Sequence, residues 1–130
     1  MIHQFFWFAN YYLRPHVPGD FNVINRRISE LPLITRNRHL FGSVEWRYNG
    51  KPIGHMHGNR TVDILFHPNI QSIILSEGRA EKNNYVGNGI SVQIRRAGDV
   101  GYAFELLLKS YHLRKQTTAN EYNQQSVISI

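Results

Sequence analysis

The stretch Gly50 to Leu65 reads GKPIGHMHGNRTVDIL, and its spacing decides how the chain is folded. Asn49-Gly50 immediately before it is a strong two-residue hairpin signal, because both turn positions require positive φ. Lys51 to His57 then returns as a strand. His55 and His57 are two apart and point to one side, since strand side chains alternate with period two. Gly58-Asn59-Arg60 is a second turn, and Thr61 to Phe66 a further strand that carries Asp63. A three-residue loop puts His55 opposite Asp63, within hydrogen-bond reach. A four-residue loop puts it opposite Ile64 and turns Asp63 away, and the pattern leaves both registers open.

Upstream, Leu40 to Tyr48 pairs with Lys51 to His57. Pairing through a regular two-residue loop sets Tyr48 against Lys51, Trp46 against Ile53, Val44 against His55 and Gly42 against His57. One face is then Val44, Trp46, Tyr48, Ile53, His55 and His57, and the other Glu45, Arg47, Gly54 and Met56. The expectation is that the histidines share the aromatic, apolar face.

Before this hairpin, Asp20 is a suitable N-cap for a helix to about Leu31, with the stripe Phe21, Ile24, Ile28 and Leu31. Residues 1–13 hold no Lys, Arg, Asp or Glu but six aromatics, and Ile2, Phe5, Phe6, Ala9, Tyr12 and Leu13 recur at helical spacing. An aromatic helix over 1–18 is expected, packed on the domain or serving as a weak membrane contact or dimer contact. After the hairpins, His67-Pro68-Asn69 opens a helix whose Ile70, Ile73, Ile74 and Glu77 share a face and whose C-cap is Gly78. Ile90 to Arg95 alternates as a strand. Asp99 caps a long helix in which Val100, Ala103, Phe104, Leu107, Leu108 and Tyr111 follow a helical repeat. Residues 115–130 read as a loose polar tail. The order predicts one α+β domain over 19–114: an antiparallel sheet of about four strands with helices on one face.

Composition limits the chemistry. The 130 residues suit a single core, and with no cysteine there are no disulfides, thiolate metal ligands or thiol nucleophiles. Fifteen basic against nine acidic residues give +6, which favours an anionic partner. The charges are scattered in pairs and no nucleic-acid-binding motif is present, so nucleic acid is not the expected partner. P-loop, dinucleotide and nucleophile-elbow patterns are missing. No apolar run is long enough to span a membrane and no signal peptide is seen, so a cytoplasmic protein, peripheral to a membrane at most, is expected.

Several separated pieces resemble the luciferase-domain family, which comprises small bacterial proteins and the luciferase of bioluminescent fungi. The pieces are Glu45-Trp46-Arg47, Ile53-Gly54-His55-Met56-His57, Asp63, Glu77-Gly78-Arg79-Ala80 and Ser110-Tyr111, in order and spacing. Where bacterial members carry two adjacent histidines this chain has Asn83-Asn84, and where they carry Ser-Gly-Trp it has Asn88-Gly89-Ile90. The resemblance implies an oxygenase-like enzyme that turns over a hydroxypyrone or similar small aromatic ligand with O₂ and no cofactor. In that reading His55 or His57 is the base, Asp63 orients it, and Trp46, Tyr48 and Asn84 contact the substrate. Two other readings stand beside it. His55, His57 and Asp63, with His39 or His67, also form a two-histidine, one-carboxylate set able to take Zn²⁺ or Fe²⁺. The chain is alternatively a non-catalytic small-ligand module with structural histidines.

Overall fold

The structure is a computed structural model and describes residues 20–38, 43–57, 60–83 and 88–128. The aromatic helix expected over 1–18, and Asn84 and His39, lie outside the described residues. The elements run α1 (Asp20–Ser29), β1 (Ile34–Arg38), β2 (Val44–Tyr48), β3 (Lys51–His57), β4 (Thr61–Leu65), α2 (Pro68–Ser76), β5 (Glu81–Lys82), β6 (Gly89–Gln93) and α3 (Ala97–Ile128). The fold is α+β, with an antiparallel six-stranded sheet in the order β1-β2-β3-β4-β6-β5.

Two of these strands exceed the four expected, and both are at the sheet edges. β1 reads ITRNR and is exposed along nearly its whole length, so it has no apolar alternation to betray it. Its Arg36 and Arg38 are the kind of charge that keeps an edge from pairing with another chain. β5 is two polar residues long.

α3 crosses β2, β3, β4 and β6, and α1 packs on α3 and β1. The core between them holds Ile24 and Ile28 of α1, Leu107 of α3 and Trp46, Val62, Ile64, Ile90 and Val92 of the sheet. Gly54 is where sheet and helix come closest. A Cβ there would stand 2.6 Å from the Asp63 carbonyl oxygen and 3.0 Å from Leu107 Cδ2, so no larger residue fits without movement.

The hairpin turns obey the sequence. Asn49 and Gly50 have φ of 48° and 83°, as the two-residue loop demands. The turn after β3 has three residues, with Arg60 at φ 69° and its N–H donating to the His57 carbonyl. The three-residue alternative is therefore the observed one, and His55 pairs with Asp63.

The β2–β3 register departs from expectation and changes which face the histidines occupy. Tyr48 faces Lys51 and Arg47 faces Pro52, but Trp46 then faces Gly54, Glu45 faces His55 and Val44 faces Met56. Ile53 is an extra residue, a β-bulge. Proline has no N–H to give the ladder and is tolerated at such a bulge. A one-residue slip moves every later side chain to the other face. His55 and His57 thus join Glu45 on the face turned away from α3, and Trp46 and Tyr48 stay on the core face. The expectation of one shared aromatic face is overturned.

Three smaller differences concern the helices. Ile73 is 59% exposed and the buried positions of α2 are Gln71 and Ile74; Gln71 donates to the Phe66 carbonyl, which lets an amide sit inside. α3 begins at Ala97, and Asp99 in its first turn accepts from the N–H groups of Arg95 and Arg96. α3 then continues to Ile128, so the loose tail expected over 115–130 is helical for most of its length. Residues 102–128 contain no Gly or Pro, and intrinsic propensity extends the helix after the apolar stripe has ended. Lys51 on β3 ties this extension down through Glu121 at 3.1 Å.

Candidate functional site

The site is built on one row of residues across the sheet. Glu45, His55, Asp63, Ser91 and Glu81 are successive direct partners on β2, β3, β4, β6 and β5. Direct antiparallel partners have Cβ atoms about 5 Å apart, so neighbouring polar groups in the row can bond. His57, two residues beyond His55, reaches Asp63 diagonally from the same side.

Asp63 is the centre. It lies on a central strand, is 5% exposed, and has its carboxylate oxygens divided between two tasks. Oδ1 accepts from Ser91 Oγ at 2.5 Å. Oδ2 faces His57 Nε2 at 2.6 Å and His55 Nε2 at 3.0 Å. The two imidazoles meet edge to face, with centroids 4.5 Å apart. Burial pushes the Asp63 carboxyl up, but its contacts with His55, Ser91 and His57, and the His55 charge, outweigh this and hold it below its ordinary range. Asp63 is therefore an anion at neutral pH, as a buried carboxylate facing several donors should be. The side chain of His55 is 25% exposed and that of His57 42%, so the pair opens to solvent on the side away from Asp63.

Trp46 and Tyr48 do not join this group. Trp46 is fully buried on the core face and donates Nε1–H to Asn25 Oδ1 on α1 at 2.9 Å. Tyr48 packs edge to face on Tyr111 of α3, with centroids 5.2 Å apart. Ser91 was not singled out by sequence. Its only signal was its place in the ISVQIR alternation, which puts it on the polar side of a strand with no indication of which strand that side would meet.

The remaining motif residues hold elements together. Glu77 accepts from Tyr102 Oη at 3.2 Å, and the Arg79 guanidinium lies 4.2 Å over the Tyr102 ring and 3.7 Å from Asp99. Those contacts fasten the end of α2 to the start of α3. Ser110 Oγ donates to the Leu65 carbonyl and Tyr111 Oη to the Pro32 carbonyl, fastening α3 to the end of β4 and to the turn after α1. A groove of about 630 Å³ lies between α2 and α3, lined by Leu65, Phe66, Ile70, Leu113 and Arg114 among others; it shares no residue with the histidine cluster.

Residues 50–110 match the Luciferase domain family. This segment belongs to the luciferase-domain family. It contains β3 and β4 with the complete cluster, then α2, β5, β6 and α3 as far as Ser110. No curated protein and no solved structure matches the chain. Among the motifs of the luciferase domain, His-x-His and the aspartate are thus the pieces whose side chains converge, while Glu-Gly-Arg-Ala and Ser-Tyr brace the scaffold. Among the described residues no helix is long and apolar enough to cross a membrane.

Proposed function

We propose that this luciferase domain is an oxygenase-type enzyme that accepts a small phenolic or hydroxypyrone-like ring at the His55–His57–Asp63 cluster. The observation that carries the reading is a partly exposed imidazole held against one oxygen of a buried, ionised carboxylate. Molecular oxygen attacks such rings readily only as electron-rich anions, so the first need is a group that removes the proton of an acidic hydroxyl. An imidazole is suited to that at neutral pH. With Nε2–H directed at Asp63, Nδ1 of the same ring is the proton acceptor, and Asp63 stabilises the imidazolium that forms. The ring meets the cluster from the solvent side of the sheet, away from Trp46 and Tyr48. The ionised ring supplies the electrons and O₂ accepts them, the reaction class that the family likeness implies, with no cofactor required.

The test follows the imidazole resonances of His55 and His57 by NMR while a simple hydroxypyrone or phenol is added, with oxygen consumption read in parallel. Saturable shifts in both rings, lost in His57→Ala, together with oxygen uptake, support the enzyme. Saturable shifts without oxygen uptake reduce the protein to a ligand-binding module. Rings that titrate like free imidazole and ignore the ligand would mean that the cluster is structural, and the reading fails.

A further inference from the structure

We infer that His55 Nε2, His57 Nε2 and Asp63 Oδ2 form a binding site for one divalent first-row transition-metal ion. The inference takes from the proposed function only the location of the reactive centre. Among the described residues this is the cluster whose donor atoms all lie within 4.8 Å of one another.

Proton transfer alone does not explain the arrangement. A general base needs one imidazole and one carboxylate to orient it. Here a second imidazole is brought to the same carboxylate oxygen, which adds nothing to a single proton transfer. A metal ion, in contrast, needs several lone pairs aimed at one point. Ligand atoms about 2.1 Å from a shared ion stand roughly 3.0 Å apart at right angles and 3.4 Å apart in a tetrahedron. The His55 Nε2···Oδ2 separation of 3.0 Å equals the right-angle value, and that of His57, 2.6 Å, is a hydrogen-bond distance that has to open by about 0.4 Å to admit the ion. The widest separation in the set has to close by at most ~2 Å, which modest χ1 and χ2 rotations of two partly exposed imidazoles can supply.

The supporting contacts fit the same reading. Ser91 Oγ holds Oδ1, the oxygen that faces away from both histidines, and so fixes the plane of the carboxylate and leaves Oδ2 for an ion. The donors come from adjacent strands of a rigid sheet and share one face, so they would occupy one side of the ion. The opposite side opens to solvent past His57, which leaves positions for water or a substrate oxygen. Two imidazoles and one carboxylate, in a chain without cysteine, select Fe²⁺, Co²⁺ or Zn²⁺ over Mg²⁺ and Ca²⁺, which take all-oxygen shells. A bound ion would also change the first chemical step, since it would lower the pKa of a ring hydroxyl ligated to it, and the proton would pass to bulk water in place of a side-chain base.

The experiment uses the full chain without a histidine tag, stripped with chelator. Co²⁺ is titrated in and followed by visible ligand-field absorption, and Zn²⁺ affinity is measured against a chromophoric chelator. One ion per chain is expected. His57→Ala should weaken binding more than 100-fold and Ser91→Ala by about 10–100-fold, while exposed His112→Ala changes nothing. Affinity should fall as pH falls, because protons compete for Nε2. On the wild-type protein, paramagnetic Co²⁺ should perturb His55 and His57 resonances before those of His67 and His112, a readout that needs no variant to fold. Absence of stoichiometric binding, or binding that ignores both His57→Ala and His55→Ala, overturns the inference. Hydroxypyrone binding is measured on the stripped protein as well: shifts that persist there keep the proposed function even if metal uptake fails, and metal uptake without ring binding does the reverse.

Discussion

Trp46→Phe separates a core tryptophan from a pocket tryptophan. The indole is fully buried and its N–H donates to Asn25 Oδ1. Replacing it with a phenyl ring removes three buried heavy atoms, the ring nitrogen and two carbons, and the carbons are worth about 1.6 kcal/mol at ~0.8 kcal/mol per carbon. Loss of the hydrogen bond adds about 1 kcal/mol. That last figure is not raised by an orphaned acceptor, because Asn25 Oδ1 also receives Ser29 Oγ at 3.5 Å. The expected loss is therefore about 3 kcal/mol, read in urea as a fall in midpoint of roughly 1–2 M at unchanged slope. The bulge at Ile53 places this ring on the opposite face from the histidines, so the His55 and His57 resonances and any hydroxypyrone affinity should stay as they are. A variant of unchanged stability with altered histidine shifts or ligand affinity would refute the face assignment and the register behind it.

Three other outcomes follow from named contacts. Asp63 is ionised more easily in the folded chain than in the unfolded one, so it contributes stability above the unfolded value near pH 4 that is lost as pH falls through the lower folded value. Urea unfolding at a series of acidic pH values should show this loss, and Ser91→Ala, which removes one lowering contact, should flatten it; an equal slope in both proteins would mean that Ser91 does not hold Asp63. Gly54→Ala forces a methyl against the Asp63 carbonyl and Leu107, an overpacking that should cost about 1–3 kcal/mol, whereas a neutral result in denaturant would show that β3 and α3 are not in close contact. Burial, followed by the charge of Glu77, raises Tyr102; the difference in phenolate absorbance between wild type and Tyr102→Phe should therefore titrate above the ordinary tyrosine value, and a lower midpoint would break the proposed link between the end of α2 and α3.

Local chemistry settled much of this protein from sequence alone. Asn49-Gly50 specified its turn because few residues accept positive φ at two successive positions. Pro68 and Gly78 bounded α2 through a missing donor and a left-handed cap, and the repeat from Val100 to Tyr111 marked the buried face of α3. His-x-His announced a pair of imidazoles on one side of a strand. Each of those readings depends on residues within one turn or one strand.

What the tertiary structure decided depends on pairing between strands. The three-residue turn placed Asp63 opposite His55, a choice that the sequence left open. The bulge at Ile53, for which Pro52 was the only local hint, carried the histidines away from Trp46 and Tyr48. Strand order then set β6 beside β4 and delivered Ser91 to the far oxygen of Asp63 from 28 residues along the chain. The edge strands β1 and β5 were illegible because their residues face water and take their conformation from a neighbouring strand's hydrogen bonds. Period-two patterns specify which residues share a face, but they do not specify which face meets the core, and a single inserted residue reverses that assignment.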